Sequence, residues 1–225
     1  MGIVQILPEI YMTKDHSNSF IVDFKDYYVL IDAGMDKKAK EILELLERLG
    51  KKPKAILITH GHLDHTNGLA KIKEKYPDLI VASSKEDINS VEGTDIIFPK
   101  GFKGFFFKIM MPLMGYKGVK VDEILEDSKT FENFEIIETS GHTKGSLSFL
   151  LKIGGKTALF CGDLILNEKN KLSLASDEFN FDKNKILESL KKISEIKFDY
   201  LLSGHGEAIK ENVNEKIKEF LSKIT

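Results

Sequence analysis

A short stretch of the sequence, ITHGHLDHTNG at residues 58–68, holds three of the chain's six histidines. His60 and His62 are two positions apart, so their side chains point the same way in an extended chain. Asp64 and His65 are adjacent and can face a second centre. Imidazole and carboxylate groups suit zinc, iron or manganese, and a catalytic site leaves one coordination position open for water. The stretch therefore predicts ligands for two metal ions rather than one.

Three further candidate ligands follow three other predicted strands. His142 comes after FEIIETSG, Asp163 after TALFCG, and His205 after YLLSG. Neighbouring glycines let the backbone approach closely, and functional side chains concentrate in loops at strand ends. A lone Gly-His pair would indicate little, but the combined pattern favours a metal site over scattered structural histidines.

Strand and helix patterns alternate in the first half of the chain. Residues 20–34 contain two apolar runs, which predict a β-hairpin whose second strand ends at Asp32. Residues 36–49 predict an amphipathic helix ended by Gly50, and a later helix ends near Pro77. The predicted inward face of the first helix consists of Ala39, Ile42, Leu43, Leu46 and Leu49. This alternation predicts βαβ units.

The second half of the chain is richer in strands. FEIIET, GSLSFLLKI and KTALFCG predict strands, the last two joined by a Gly154-Gly155 turn. Amphipathic helices precede and follow the predicted strand YLLS. Two sheets with helices predict an α/β or α+β fold in layered form, in which loops after strands present the candidate ligands.

These residues together resemble the metallo-β-lactamase superfamily of metallohydrolases. The resemblance depends on the motif THGHLDH at residues 59–65, followed in order by SGHTKGS, CGDL and SGHG, and it extends from LIDAG to SGHG. It implies an α/β (α+β) fold, a four-layer αββα sandwich with the site at one edge of the paired sheets. The motif is specific for the superfamily and much less so for the substrate.

The resemblance also implies a role for each candidate ligand. It implies three ligands for each metal: His60, His62 and His142 for the first, and Asp64, His65 and His205 for the second. Asp163 would bridge the two metals. Asp32, in LIDAG, would orient a ligand histidine, because carboxylates behind a metal ligand fix the imidazole tautomer.

The implied chemistry is hydrolysis at two divalent metal ions, with Zn²⁺ favoured and Fe or Mn as alternatives. A hydroxide bridging the metals would attack an acyl carbon or phosphorus, because metal binding lowers the pKa of water. Asp64 and Asp163 are the carboxylates expected to orient this nucleophile or shuttle a proton.

Departures from individual branches narrow the substrate class. Flavodiiron reductases normally have glutamate in place of His62, and secreted zinc β-lactamases have cysteine in place of Asp163. The chain also has no basic, glycine-rich arm like that of transfer-RNA processing nucleases. What remains is a resemblance to glyoxalase II, acyl-homoserine lactonases and small uncharacterised metallohydrolases, which implies an ester, thioester or lactone substrate. A mononuclear iron persulfide dioxygenase is one alternative, and a phosphodiesterase or nuclease is another.

Composition indicates one ordinary globular domain. The chain has 225 residues, of which 30% are charged, and its formal net charge is -2. Such a chain can bury one sizeable core, so we expect a single domain over residues 1–225. The balanced charge provides no cationic field for a phosphate backbone, so we expect a small-molecule substrate and no nucleic acid.

The N-terminal residues MGIVQILPEIYMTKDH have neither the basic start nor the long apolar run of a secretory signal. The single cysteine, Cys161, cannot form an internal disulfide. We therefore expect a cytoplasmic protein with no membrane partner. Cys161 is expected to be a small core residue, and His16, outside every motif, a structural or surface residue.

Two further features could contact the substrate. Lys144 stands where the superfamily usually has proline; it is either a solvated loop lysine or a cation that holds a substrate carboxylate or phosphate. The apolar insertion at about 96–118 is interrupted by lysines and predicts a lid, a homodimer contact or core packing, with the first two favoured. Phe105 and Phe106 would contact the substrate in the lid interpretation, which also involves Phe102, Met110 and Met114.

Overall fold

The computed structural model describes residues 2–101, 104, 105, 108 and 115–224. The chain forms two compact units, Met1–Ile124 and Leu125–Thr225. Each unit has its own sheet and helices, in agreement with the mixed α/β composition that the sequence predicts. The single domain expected over residues 1–225 stays a prediction.

The first unit is built on a seven-stranded sheet whose strands lie side by side in sequence order. Its strands are β1 (Gly2–Leu7), β2 (Ile10–Lys14), β3 (Asn18–Asp23), β4 (Tyr28–Ile31), β5 (Pro53–Leu57), β6 (Ile80–Ser83) and β7 (Glu123–Ile124). The helices of this unit whose bounds the structure describes are α1 (Lys40–Leu49), α2 (Leu63–Thr66), α3 (Leu69–Lys75) and α4 (Ile88–Val91). Strands β1 to β4 pair antiparallel, and β4 to β7 pair parallel. The predicted β3–β4 hairpin and βαβ units are confirmed.

Helix α1 begins later than its periodicity predicts. The Asp36 carboxylate accepts hydrogen bonds from the backbone N–H groups of Lys38 and Lys40, each at 3.0 Å, and this turn holds the chain out of the helix until Lys40. At the other end Gly50 has φ 86° and accepts the left-handed conformation that ends the helix, as predicted.

The core of the first unit packs α1 against the sheet. Ile42, Leu45 and Leu46 are buried together with the strand residues Leu30 and Ile56. The predicted helix face is partly wrong, because it omitted the fully buried Leu45, whereas Leu43 and Leu49 are only partly buried. The inward stripe is therefore rotated toward Leu45.

The second unit contains a five-stranded sheet in the order β14-β11-β10-β9-β8 and a two-stranded sheet, β12-β13. Its strands are β8 (Thr130–Phe131), β9 (Phe134–Glu138), β10 (Leu147–Ile153), β11 (Lys156–Gly162), β12 (Leu166–Glu168), β13 (Lys171–Ser173) and β14 (Tyr200–Ser203). Its helices are α5 (Lys183–Ser194) and α6 (Val213–Ile224). Strand β10 is antiparallel to both β9 and β11, and β14 is parallel to β11. Strands β9, β11 and β14 therefore run in the same direction.

Local sequence explains the main elements of the second unit. Gly154 and Gly155 have φ 58° and 74°, so they form the tight β10–β11 turn that the sequence predicts. The Asp182 carboxylate caps α5 by accepting from the N–H groups of Asn184 and Lys185. The apolar faces of both helices are buried against β11 and β14, as their periodicity predicts.

The apolar segment at 96–118 is described only in part. Phe102, Phe106, Met110 and Met114 lie outside the described residues. Phe105 is described and is 64% exposed, which argues against core packing for this ring. The lid and the homodimer contact stay predictions. Among the helices that the structure describes, none is long and apolar enough to cross a bilayer.

Candidate metal centre

In the first unit the ligand stretch leaves the sheet at the carboxyl end of β5. The rings of His60 and His62 have centroids 4.9 Å apart, and the His62 backbone is extended, so both rings lie close together as expected. The next residues form the short helix α2, which brings the His65 ring to 4.1 Å from that of His60. Asp64 is half-exposed on the same helix, with Oδ2 3.7 Å from Nε2 of His65. The structure thus gathers all four side chains of this stretch.

Asp32 fixes the tautomers of two of these histidines. Its Oδ2 lies 2.8 Å from Nδ1 of His65 and accepts a hydrogen bond of 2.7 Å from the Thr59 hydroxyl. The Thr59 hydroxyl has one hydrogen and gives it to Asp32, so it must accept the hydrogen of His60 Nδ1, 3.0 Å away. In both rings Nδ1 is therefore protonated, and Nε2 has the lone pair that a metal binds.

The position of Asp32 follows from the parallel sheet. Asp32 directly follows β4, the neighbour of β5, and parallel strands end at the same edge. Its φ of 58° is left-handed, a conformation that costs roughly 1–3 kcal/mol and persists only where the surroundings enforce it. The backbone N–H of Thr59 donates to Oδ1 at 2.8 Å, and Ala33 N–H donates to the His65 carbonyl at 2.7 Å. These bonds join the Asp32 turn to the ligand stretch.

Gly61 lies between His60 and His62, and both its N–H and its carbonyl are hydrogen-bonded to side chains. Its N–H donates to Oδ2 of Asp87 at 2.8 Å, and the Ser90 hydroxyl donates to its carbonyl at 2.6 Å. A Cβ at Gly61 would lie 2.8 Å from Cβ of Ser90, so a side chain cannot be accommodated there. Asp87 and Ser90 belong to no motif, so the sequence offers no reason to expect them here.

Replacing Gly61 by alanine should destabilise the fold by about 1–3 kcal/mol and weaken metal binding about tenfold. The methyl group would displace the backbone that spaces His60 and His62. Denaturant unfolding of the metal-free protein and chelator competition measure the two effects. Gly2→Ala is the control, because nothing lies within 4 Å of a Cβ at Gly2. Wild-type metal affinity in the Gly61 variant would show that the fixed Gly61 backbone does not position His60 and His62.

Tyr116 supports the same stretch from the end of the apolar segment. Its hydroxyl lies 3.3 Å from the Thr66 hydroxyl and 3.1 Å from the Ser90 carbonyl, and Thr66 donates to the His62 carbonyl at 3.1 Å. Burial raises the pKa of the Tyr116 hydroxyl, which keeps it a donor. No spacing in the sequence pointed to this residue.

The second unit brings the three remaining candidate ligands together. His142, Asp163 and His205 follow β9, β11 and β14, which run in the same direction and so end at one edge. Oδ2 of Asp163 lies 3.5 Å from Nε2 of His142 and 3.2 Å from Nε2 of His205. The carboxylate therefore faces the same nitrogen of both rings.

Two residues support His142, and the sequence pattern pointed only to the glycine. Gly141 precedes it with φ 138°, and a Cβ there would lie 2.5 Å from the backbone nitrogen of Ile186, so the chain needs glycine. Oδ1 of the buried Asn180 lies 2.9 Å from Nδ1 of His142. Asn180 is 38 residues away along the chain, outside any motif.

The structure also shows the surroundings of Lys144 and Cys161, the other two residues of this unit for which the sequence made a prediction. Lys144 is exposed, and its ammonium lies 5.2 Å from the centroid of the Phe181 ring. Cys161 is 2% exposed, and burial raises the pKa of its thiol to about 12, so it is a small core residue as predicted. In the first unit His16 is exposed, which agrees with a surface role.

The donor groups fit divalent metal ions. They are imidazole nitrogens and carboxylate oxygens, the ligands that zinc, iron and manganese share. Three rings, His60, His65 and His142, have Nδ1 held by a neighbouring side chain, as in metal-binding histidines whose Nε2 is the ligand atom. These residues are therefore suited to binding divalent metal ions.

Known proteins are similar to this chain in sequence and in fold. The pattern of the family described as the metallo-beta-lactamase superfamily matches residues 12–205, a range that includes all seven candidate ligands and Asp32. "Probable metallo-hydrolase YybB" of Bacillus subtilis (strain 168) is 30% identical over 190 residues, which are 84% of this chain and 80% of that relative. Hydroxyacylglutathione hydrolase of Hamiltonella defensa subsp. Acyrthosiphon pisum (strain 5AT) is 27% identical over 147 residues. That match covers 65% of this chain and 46% of the enzyme. The solved structure of TTHA1623 in a di-iron-bound form is 23% identical, with a TM-score of 0.71 over 98% of this chain and 100% of that one.

Proposed function

We propose that this chain, which belongs to the metallo-β-lactamase superfamily, hydrolyses an ester, thioester or lactone at two metal ions. The family, its fold and metal-dependent hydrolysis were predicted from the motifs and are confirmed by the match over residues 12–205 and by the metallo-hydrolase relative. The number of metals and the substrate are the proposed part. A small-molecule substrate and a cytoplasmic location also stay predictions.

The observation that supports two metals most strongly is the position of Asp163. The family resemblance assigns His142 to the first metal and His205 to the second. One oxygen of Asp163 lies within 3.5 Å of the Nε2 atoms of both rings. If each histidine held one metal, this carboxylate would be a ligand shared by both, so we propose that the seven candidate ligands would hold a pair of ions.

The proposed metals are Zn²⁺, with Fe or Mn as alternatives; the di-iron form of TTHA1623, which is similar in fold, supports a pair of ions. Two such ions supply an activated water and a Lewis acid for the substrate oxygen. The chain's own carboxylates would handle protons. Asp64, whose side chain is 31% exposed, can exchange a proton with solvent, whereas Asp163 is 7% exposed and is better suited to orientation.

The substrate class is proposed from the resemblance to hydroxyacylglutathione hydrolase, although the matched region spans less than half of that enzyme. Near His142, the Lys144 ammonium and the 40% exposed Phe181 ring form a cationic and apolar surface. Phe181 is joined to His142 by a hydrogen bond of 2.9 Å from its N–H to the His142 carbonyl. This surface suits an acyl substrate with an anionic group and an apolar part.

A substrate panel tests the proposal. Protein loaded separately with Zn²⁺, Fe²⁺ or Mn²⁺ is assayed with a glutathione thioester, an aryl ester, an acyl-homoserine lactone and a phosphodiester chromogen, and for oxygen uptake with glutathione persulfide. We expect a carbonyl substrate to exceed the phosphodiester in kcat/KM. Preferred phosphodiester turnover would favour a phosphodiesterase, and oxygen uptake would favour a persulfide dioxygenase.

Substitution of Lys144 by glutamine should raise KM for an anionic acyl substrate about threefold and leave kcat unchanged. The lost cation contributes to binding rather than to the reaction. Lys185→Gln is the matched control, because Lys185 is also exposed and lies 6.0 Å from the Phe181 ring, on α5. Steady-state kinetics with charged and neutral esters distinguish the two lysines. Equal effects of both variants would contradict a specific role for Lys144.

A further inference from the structure

We infer that Asn180 is a positioning residue that determines which nitrogen of His142 faces the metal centre. Asn180 is 3% exposed and makes two side-chain hydrogen bonds. It belongs to no motif, and its position explains why His142 presents Nε2 to Asp163. The inference rests on the proposed function insofar as it takes His142 to be a metal ligand.

The orientation of the Asn180 amide follows from its surroundings. Its Nδ2 lies 2.7 Å from the carbonyl oxygen of Ala175, and a carbonyl oxygen can only accept a hydrogen bond. The NH₂ group must therefore face Ala175, and Oδ1 must face Nδ1 of His142 at 2.9 Å. Because Oδ1 also only accepts, Nδ1 of His142 is the donor. The lone pair of the neutral ring is then on Nε2.

The backbone around Asn180 keeps the amide in place. The N–H of Phe181 donates to the His142 carbonyl, and the N–H of Asp182 donates to the Gly141 carbonyl, each at 2.9 Å. Asp182 is also the cap of α5, so the segment is fixed to the helix as well as to the ligand loop. These backbone bonds fix the Asn180 amide relative to the His142 ring. Rotation of the ring would break its hydrogen bond to Oδ1.

A comparison with Asp32 shows what a neutral partner does. Asp32 offers a carboxylate to Nδ1 of His65, whereas Asn180 offers an amide oxygen to Nδ1 of His142. Both partners fix the same tautomer, but the amide adds no negative charge. Asn180 therefore fixes the tautomer of His142 without adding a second carboxylate next to this histidine, which already faces Asp163.

Two substitutions separate this role from a merely structural one. Asn180→Asp and Asn180→Leu both remove the NH₂ donor to Ala175, but only aspartate keeps an oxygen acceptor for His142. We expect Zn²⁺ affinity, measured by chelator competition, to fall about 10–100-fold in the leucine variant and much less in the aspartate variant. Thermal unfolding of both metal-free variants measures the loss of stability separately from the loss of Zn²⁺ affinity. Asn184→Leu, at an exposed position of α5, is the control.

Nitrogen NMR of metal-free protein gives a second readout that needs no activity. His142 should be protonated on Nδ1 in the wild-type and Asn180→Asp proteins, and should lose this preference in Asn180→Leu. Wild-type affinity and an unchanged tautomer in the leucine variant, or equal loss of affinity in both variants, would overturn the inference. If the wild-type chain binds no metal, the proposed function fails, whereas the tautomer measurement still tests Asn180.

Discussion

Replacing Asp163 by asparagine is expected to lower kcat/KM for the best carbonyl substrate by about a thousandfold. The Oδ2 atom of Asp163 lies 3.5 Å and 3.2 Å from the Nε2 atoms of His142 and His205. An amide has one oxygen acceptor and an NH₂ group that cannot bind a metal ion. The variant should therefore lose the bridge and retain at most one tightly bound metal.

The measurement for Asp163 pairs steady-state kinetics with metal content after dialysis. Asp177→Asn is the matched control, because Asp177 is an exposed carboxylate in the same unit and is not a candidate ligand. The control should keep full activity and full metal content. An Asp163→Asn protein that also kept both would refute the bridging role.

Asparagine at Asp32 should cost about 3 kcal/mol in the free energy of unfolding and weaken metal binding about 10–100-fold. Among the described residues, three groups hydrogen-bond the Asp32 carboxylate, and each is a donor: the Thr59 N–H, the Thr59 hydroxyl and Nδ1 of His65. The NH₂ group of asparagine must point at one of them. The hydrogen-bond chain that sets the tautomers of His60 and His65 would then break.

Denaturant unfolding without metal and chelator competition with Zn²⁺ measure the two consequences of the Asp32 substitution. Asp26→Asn, in the exposed turn of the β3–β4 hairpin, is the control and should behave like wild type. Unchanged stability of the Asp32 variant would contradict the buried network. Loss of stability with unchanged Zn²⁺ affinity would show that Asp32 supports the fold but not the ligands.

The positions of the candidate ligands were predictable because of where strands end. His60, His142, Asp163 and His205 each follow a strand, and strands running in one direction deliver such residues to one edge of their sheet. Spacing within THGHLDH then predicted side chains pointing the same way, and the short helix α2 adds only a local detail. The family resemblance added Asp32, whose contact with His65 the structure shows.

The residues that hold the ligands were not predictable in the same way. Asn180 hydrogen-bonds a ring nitrogen, and Asp87 and Tyr116 hydrogen-bond backbone groups, in each case far away in the chain. Such contacts impose no periodicity and no spacing, so one sequence contains no signal for them. The start of α1 was predicted too early for a similar reason. The Asp36 side chain accepts hydrogen bonds from nearby backbone N–H groups and so competes with helical hydrogen bonds.

The central claim is hydrolysis at a pair of metal ions. Its most direct test is a titration of metal-free protein with Zn²⁺, in which bound metal and turnover of a carbonyl substrate are recorded together. The account predicts two bound ions per chain and activity that rises to its maximum with the second. Full activity at one ion per chain, with no second tight site, would contradict it.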